Sequence, residues 1–196
     1  MKGFTDFFIG ENDEKITGML KELDFDRVIF IKKAREKLDF DNLDNYDGVL
    51  IDVDSKEKLR QFVDKAYARK KTIIVQAKDD SFNRAALETK KISILLSPET
   101  SQKADFMSYR NSGLNQVLCK IAEKNNIAIG ISFSEILETK NDKELAERIG
   151  RIMQNIMICR KYKTRIQLAN FASKKEFLRA ALDIRSFGSA MGLQAQ

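Results

Sequence analysis

The most specific chemistry in this sequence lies in a short polar turn at residues 109–113, which carries a permanent cation. The planar guanidinium of Arg110 suits phosphate because it can donate two parallel hydrogen bonds. Asn111 and Ser112 follow it directly and precede a helix that is predicted to begin near Leu114. Their side chains have two interpretations: contact with a phosphate at a helix N-terminus, or capping of that helix. The turn therefore predicts that Arg110 contacts an anion.

Other basic side chains follow predicted strands or crowd the last quarter of the chain. Residues 151–185 carry nine Lys/Arg against two Asp/Glu, whereas residues 1–56 carry nine against fourteen. This asymmetry is expected for a polyanionic partner, and a solvated helix face explains it equally well. Lysines add point charge and affinity that depends on salt through counterion release. The further candidate phosphate contacts are Lys33, Arg84, Lys120, Lys163, Lys174, Lys175, Arg179 and Arg185.

Asp52 and Asp54 are the best pair of carboxylates for catalysis. Two residues apart on a predicted strand, they would face one side and bind a divalent ion, as in a barrel metal-dependent phosphoesterase. Alternatively, Asp54 marks the start of the next helix. The chain has no histidine, which excludes a histidine general base and histidine-activated nucleophiles. Its two cysteines, Cys119 and Cys159, are too few for a zinc site without histidine and are predicted to be buried thiols.

Strand and helix patterns alternate along the whole chain, which predicts an α/β protein with parallel strands. This alternation favours one domain over residues 1–196, folded as a compact TIM-barrel-like (β/α) barrel, with an open doubly wound sheet as the alternative. An irregularity is expected around residues 92–110, because the two strands predicted there are too close for a crossover helix. The predicted strands are residues 4–9, 27–31, 48–53, 72–76, 92–97, 104–109, 127–133 and 165–169.

Two segments resemble the protein component 3 family of archaeal ribonuclease P and its eukaryotic counterpart. The first reads R-N-S-G-L-N at residues 110–115, continues as V-L-C-K-I-A at 117–122 and leads to A-I-G-I-S at 128–132. The second reads I-R-S-F-G at 184–188 and M-G-L at 191–193. A generic α/β unit explains the apolar pattern of these segments but not the polar string at 110–115.

The resemblance implies a TIM-barrel-like fold and an RNA-binding subunit of ribonuclease P, whose RNA removes the 5′ leader of precursor tRNA with magnesium ions. It implies no cofactor on the chain itself, and ribonuclease P RNA, precursor tRNA and a small ferredoxin-like protein subunit as partners, in a heterodimer or heterotetramer. The related metal-dependent phosphoesterases carry a His-x-His motif on the first strand, where this chain has Asp6-Phe7-Phe8. We therefore expect a non-catalytic chain, and a scaffold that binds only proteins is the other alternative.

Membrane insertion and secretion are not indicated. No apolar run approaches the roughly 20 residues that a spanning helix needs, and the N-terminus reaches Asp6 too soon for a secretory signal. A cytoplasmic protein without membrane contact is expected.

Overall fold

The computed structural model describes residues 3–36, 40, 42–100, 103–107 and 109–193. Within them, seven parallel strands form one sheet whose spatial order follows the chain. This order confirms the TIM-barrel-like prediction and excludes the doubly wound sheet, which requires a reversal of strand order. The strands are β1 (Thr5–Ile9), β2 (Arg27–Ala34), β3 (Gly48–Ile51), β4 (Thr72–Gln76), β5 (Ile94–Leu96), β6 (Ala128–Ser132) and β7 (Ile166–Ala169).

Helices cover the outside of the sheet, and most of them follow a residue whose side chain caps their first turn. Asp13, Ser55, Asp79, Asn115 and Asn141 each accept a backbone N–H of the first turn that they precede, which satisfies donors that the helix cannot pair itself. The helices are α1 (Glu14–Glu22), α2 (Lys56–Ala68), α3 (Asp80–Glu88), α4 (Gln116–Lys124), α5 (Phe133–Leu137), α6 (Asp142–Lys161) and α7 (Ala181–Ala190). None of the helices in the described ranges is both long and apolar enough to cross a bilayer.

Both faces of the sheet are buried, which explains the nearly continuous apolar runs of the strands. In β3, Leu50 points into the barrel and packs with Phe7 and Ile74, whereas Val49 and Ile51 point outward against α2 and its neighbours. Cys119 and Cys159 lie in the outer layer as buried free thiols, with their Sγ atoms 4.0 Å apart. This placement confirms the prediction that the cysteines serve as small core residues.

The barrel closes at a seam between β1 and β7, where polar contacts replace most of a strand ladder. The backbone N–H of Ile9 donates to the carbonyl of Ala172 at 2.8 Å. The buried carboxylate of Asp6 accepts the backbone N–H of Asn170 at 2.8 Å and its side-chain amide at 2.7 Å. Asp6 therefore ties the first strand to the residue that directly follows the last.

The predicted strand at 104–109 is wrong. The described residues of that range, which exclude Ser108, belong to a connection that we call the anchored loop, residues 97–115. It joins β5 to α4 and accounts for the irregularity expected there. The predicted capping roles are also wrong, because Asn115 rather than Asn111 or Ser112 caps α4, which begins at Gln116.

Candidate nucleic-acid interface

Three cations surround one carboxylate at the carboxyl ends of β2, β3 and β4. Asp52 accepts from Lys33 Nζ at 3.1 Å, from Arg35 Nη2 at 3.0 Å and from Lys78 Nζ at 2.8 Å. Because parallel strands end at one edge of the sheet, residues from three separate segments meet there. We call these four residues the mouth cluster.

The mouth cluster carries more positive than negative charge. Partial burial raises the pKa of Asp52, but hydrogen bonds from Lys78 and Lys33 outweigh burial and lower it to about 2. Asp52 is therefore ionised at neutral pH, and together with Asp54, which also contacts Lys78, it leaves an excess of one positive charge over the three cations. Arg35 is 65% exposed and Lys33 39% exposed, so both present donors to solvent where a phosphate can approach.

The phosphoesterase hypothesis for Asp52 and Asp54 is not favoured by this geometry. Lys78 Nζ contacts both carboxylates, at 2.8 Å and 3.2 Å. An ammonium group occupies the space between them, where a divalent ion would have to bind. Within the described ranges, no group of three or more His, Cys, Asp or Glu residues is arranged to hold a metal.

Helix α6 holds the anchored loop in place through one nearly buried arginine. Arg151 donates from Nε to Asp105 Oδ1 at 2.9 Å, from Nη1 to the carbonyl of Glu99 at 3.2 Å and from Nη2 to the carbonyl of Lys103 at 2.7 Å. The guanidinium of Arg151 thus donates hydrogen bonds to backbone carbonyls of the loop, which lie outside the sheet and are not paired by a neighbouring strand.

The turn around Arg110 is fixed by the next residues of α6. The side-chain amide of Gln154 donates to the carbonyl of Arg110 at 2.8 Å and to Ser112 Oγ at 2.9 Å. Asn155 Nδ2 donates to the carbonyl of Ser112 at 2.9 Å. The backbone of the 110–112 turn is therefore held by side chains from one helix.

The guanidinium of Arg110 lies over Gly150 of α6, where a Cβ atom would approach its Cζ to 2.4 Å. It contacts Asp105 Oδ2 at 3.3 Å and remains 45% exposed. Burial raises the pKa of Asp105, but the Asn111 N–H and Arg151 outweigh it and keep the pKa below its ordinary value. Contact with Asp105 therefore orients one side of the Arg110 guanidinium, and its other side is exposed to solvent.

The neighbours of Arg110 have internal roles. Ser112 is only 1% exposed, and its hydroxyl accepts from Gln154 inside the loop. The backbone N–H of Asn111 donates to Asp105 at 2.8 Å, and its side-chain amide donates to the carbonyl of Ala104. The polar string at 110–115 mainly shapes the loop that presents Arg110.

The remaining predicted cations are spread over the surface and do not form one patch. Arg84 on α3 pairs with Glu88 at 2.8 Å, and Lys120 on α4 lies over the ring of Tyr162. Lys163 precedes β7 and so lies at the opposite end of the barrel from the mouth cluster. Arg179 donates to the carbonyls of Glu176 and Leu178.

Three of the predicted cations lie in the C-terminal segment that follows β7. Lys174 and Lys175 line a hollow of about 750 Å³ beside the start of α1. Arg185 is exposed on α7.

The site residues predicted from the sequence do not include Arg35, Lys78 or Arg151. A signal existed for the first two, because K-K-A-R, D-V-D and Q-A-K end three consecutive predicted strands. Read together, these loops predict a charge cluster at one edge of the sheet. Nothing in the sequence near Arg151 distinguishes it from the other charged residues of a long amphipathic helix.

Comparisons with known proteins give the same fold and a specific family. A family model described as "RNase P subunit p30" matches residues 7–196. Ribonuclease P protein component 3 from Methanosarcina mazei is 29% identical over 147 residues, covering 75% of this chain and 58% of that protein. The protein of the same name from Methanocaldococcus jannaschii is 28% identical over 142 residues, covering 72% and 58%. The chain thus matches less than two thirds of the length of these relatives.

Two solved structures illustrate the likeness in fold. A chain in the cryo-EM structure of archaeal ribonuclease P with mature tRNA superposes with a TM-score of 0.75 at 24% identity, covering 96% of this chain and 82% of that one. A putative 2-pyrone-4,6-dicarboxylic acid hydrolase from Pseudomonas putida superposes with a TM-score of 0.63 at 9% identity, covering 100% and 93%. The barrel is therefore shared with hydrolases, whereas the match over residues 7–196 is specific to one group: the chain belongs to the RNase P subunit p30 family.

Proposed function

We propose that this chain is a protein subunit of ribonuclease P that binds the catalytic RNA and assists removal of the 5′ leader from precursor tRNA. The family match over residues 7–196 carries the proposal. The relatives named ribonuclease P protein component 3 and the neighbour solved with mature tRNA support it. In this role the chain supplies no catalytic group, and magnesium ions act at the RNA.

The chain's own contribution is electrostatic. Lys33 and Arg35 from the end of β2 and Lys78 from the loop after β4 converge on Asp52 and leave positive charge facing solvent, and Arg110 adds an oriented guanidinium. Such groups neutralise phosphates that repel one another when an RNA folds compactly, and their effect is strongest at low magnesium and low salt. A binding surface made of Lys and Arg reads the shape and backbone of a structured RNA rather than its sequence.

A small ferredoxin-like protein subunit is the protein partner that we propose, in a heterodimer or heterotetramer. Exposed apolar side chains on α4 and α6 support a protein contact on these helices. Val117 is 47% exposed, Met153 46% and Met157 60%. These residues lie on the exposed faces of the two helices.

Reconstitution tests the proposal directly. Cleavage of precursor tRNA by ribonuclease P RNA is measured at limiting magnesium with the small protein subunit present, and this chain is added or omitted. We expect a clear gain in rate when the chain is added. No gain with a folded chain and its partner present would overturn the proposal, and phosphoesterase assays with added metal would then follow.

Variants of the mouth cluster test the electrostatic role. In a Lys33→Ala/Arg35→Ala double variant, the slope of log affinity for the RNA against log salt should fall by about two, one for each phosphate that the variant no longer neutralises. The matched control, Lys21→Ala/Lys124→Ala, removes two exposed cations from the last turns of α1 and α4 and should leave the slope unchanged. Equal slopes for both variants, with the rate gain intact, would favour a scaffold that binds only proteins.

A further inference from the structure

An aromatic pair is exposed at the tip of the anchored loop. The rings of Phe106 and Tyr109 stack with centroids 4.6 Å apart and an angle of 28° between their planes. Phe106 is 58% exposed and Tyr109 is 55% exposed. The backbone N–H of Phe106 donates to the carbonyl of Tyr109 at 2.9 Å, which closes the turn between them. The pair therefore presents a two-ring surface to solvent instead of filling the core.

The residues that flank this surface are attached to the rest of the protein. Asp105 directly precedes the pair and accepts from Arg151 at 2.9 Å, from the Asn111 N–H at 2.8 Å and from Arg110 at 3.3 Å. Both ends of the turn are thus attached to α6. A surface held in one conformation loses little entropy when a ligand binds, which favours affinity.

The charges around the pair favour RNA over an acidic or apolar protein surface. The anchored loop contains two carboxylates, and neither is available: Glu99 is 2% exposed, and Asp105 is engaged by two arginines. Arg110 follows Tyr109 and remains 45% exposed. Aromatic rings beside an oriented cation and without a free carboxylate are typical of surfaces that stack a base and contact its phosphate.

We propose that Phe106 and Tyr109 stack an unpaired nucleobase of RNA while Arg110 contacts an adjacent phosphate. This inference rests on the proposed RNA-binding function and adds a class of ligand to it, namely a base without a pairing partner. A base inside a duplex has both faces covered by its neighbours, so the platform should discriminate single-stranded from double-stranded RNA.

The experiment uses the full chain and a single-stranded RNA of about 12 nucleotides, within the range of site sizes for such proteins. The RNA carries one 2-aminopurine, whose fluorescence reports stacking, and the same strand annealed to its complement serves as the duplex probe. We expect the chain to quench the single strand preferentially. Tyr109→Ala and Phe106→Ala should each weaken single-strand binding about tenfold, whereas Tyr109→Phe should bind like the parent chain.

Tyr67→Ala is the matched control, because Tyr67 is 57% exposed on α2 and has no stacked aromatic partner among the described residues. If Tyr109→Ala and Phe106→Ala bind RNA as well as Tyr67→Ala does, the platform is overturned while the RNA-binding function stands. If they bind RNA normally but lose assembly with the small protein subunit, the pair is a protein contact instead. If the parent chain binds neither the single strand nor the duplex at low salt, the platform is overturned, whereas the RNA-binding function is judged by the reconstitution.

Discussion

The guanidinium of Arg151 is the main attachment of the anchored loop to the barrel. It is 8% exposed, and its acceptors lie 46 to 52 residues upstream. Replacing it by alanine removes a donor from the buried carbonyl of Glu99 and from the carbonyl of Lys103, and leaves the partly buried carboxylate of Asp105 with fewer partners. We expect Arg151→Ala to lower the free energy of unfolding by about 3 kcal/mol, measured by urea denaturation.

Arg160→Ala is the control for this prediction, because Arg160 is exposed on the same helix. It should change stability by less than about 0.5 kcal/mol. Limited proteolysis adds a second measurement, since the loop of Arg151→Ala should be cleaved faster than that of the control. Equal proteolysis of the two variants would contradict the anchoring role.

Arg110 shows what could and could not be predicted for a single residue. Its polar turn and its place before a helix indicate an anion contact, and the structure leaves its guanidinium half exposed. The sequence does not show that Asp105 and Gly150 orient it, because Gly150 is distant in the chain. A local pattern predicts the type of chemistry, whereas the contacts that aim a side chain come from other segments.

Among the secondary-structure elements, the anchored loop depends on one glycine. Gly113 has φ +73°, and a Cβ there would lie 2.1 Å from the carbonyl oxygen of Pro98. Gly113→Ala should therefore destabilise the chain by at least about 2 kcal/mol, because it combines an unfavourable backbone region with a clash. Thermal unfolding measures this effect.

Gly18→Ala is the control for this prediction, and it should change stability in the opposite direction. Gly18 lies within α1, and a Cβ there would meet nothing within 4 Å. Gly18→Ala should raise stability by about 0.5–1 kcal/mol, because alanine loses less backbone freedom than glycine on forming a helix. Destabilisation by both variants would show that Gly113 has no special role.

The predicted strands correspond closely to the observed ones, with one instructive exception. Residues 104–109 read A-D-F-M-S-Y, a short run rich in apolar residues that is compatible with a strand. In the structure, Phe106 and Tyr109 face solvent and Asp105 turns inward to Arg151. Such a run alone does not reveal which side chains are buried, and here an ion pair with a residue far along the chain decides it.

For the whole molecule, two buried carboxyls make stability depend on pH. Burial and repulsion by Glu135 raise the pKa of Glu99 to about 8, while nearby Arg148 opposes the rise. Burial also raises the pKa of Asp6 to about 6, against the lowering effect of hydrogen bonds from Asn170. Both groups therefore hold a proton more tightly in the folded chain than in the unfolded chain.

The stability that these protons give is fully present below the unfolded pKa values and is lost as pH rises through the folded ones. We expect the free energy of unfolding to fall between about pH 4 and pH 8, by at most about 1.4 kcal/mol per pH unit for each group. Glu99→Gln should flatten this fall above about pH 6, and the exposed substitution Glu123→Gln should not. Equal pH profiles for the two variants would contradict a raised pKa at Glu99.

The barrel as a whole was predictable, since alternation of strands and helices allows few topologies and parallel strands need covered faces. The seam was not. Nothing in the sequence marks Asp6 as the partner of Asn170, and a charged residue on a first strand looks equally suited to an exposed position. Only the closed sheet shows that it is fully buried.

The seam also determines the order in which the molecule can be completed during synthesis. Asp6 and Asn170 are separated by 164 positions. One edge of β1 pairs with β2, but the other edge stays uncovered until almost every other element has been synthesised. Until then the nascent chain displays an unpaired strand edge beside apolar side chains, the kind of surface on which neighbouring chains aggregate. This barrel is therefore most prone to aggregation during its synthesis, before the ribosome has added Ala172.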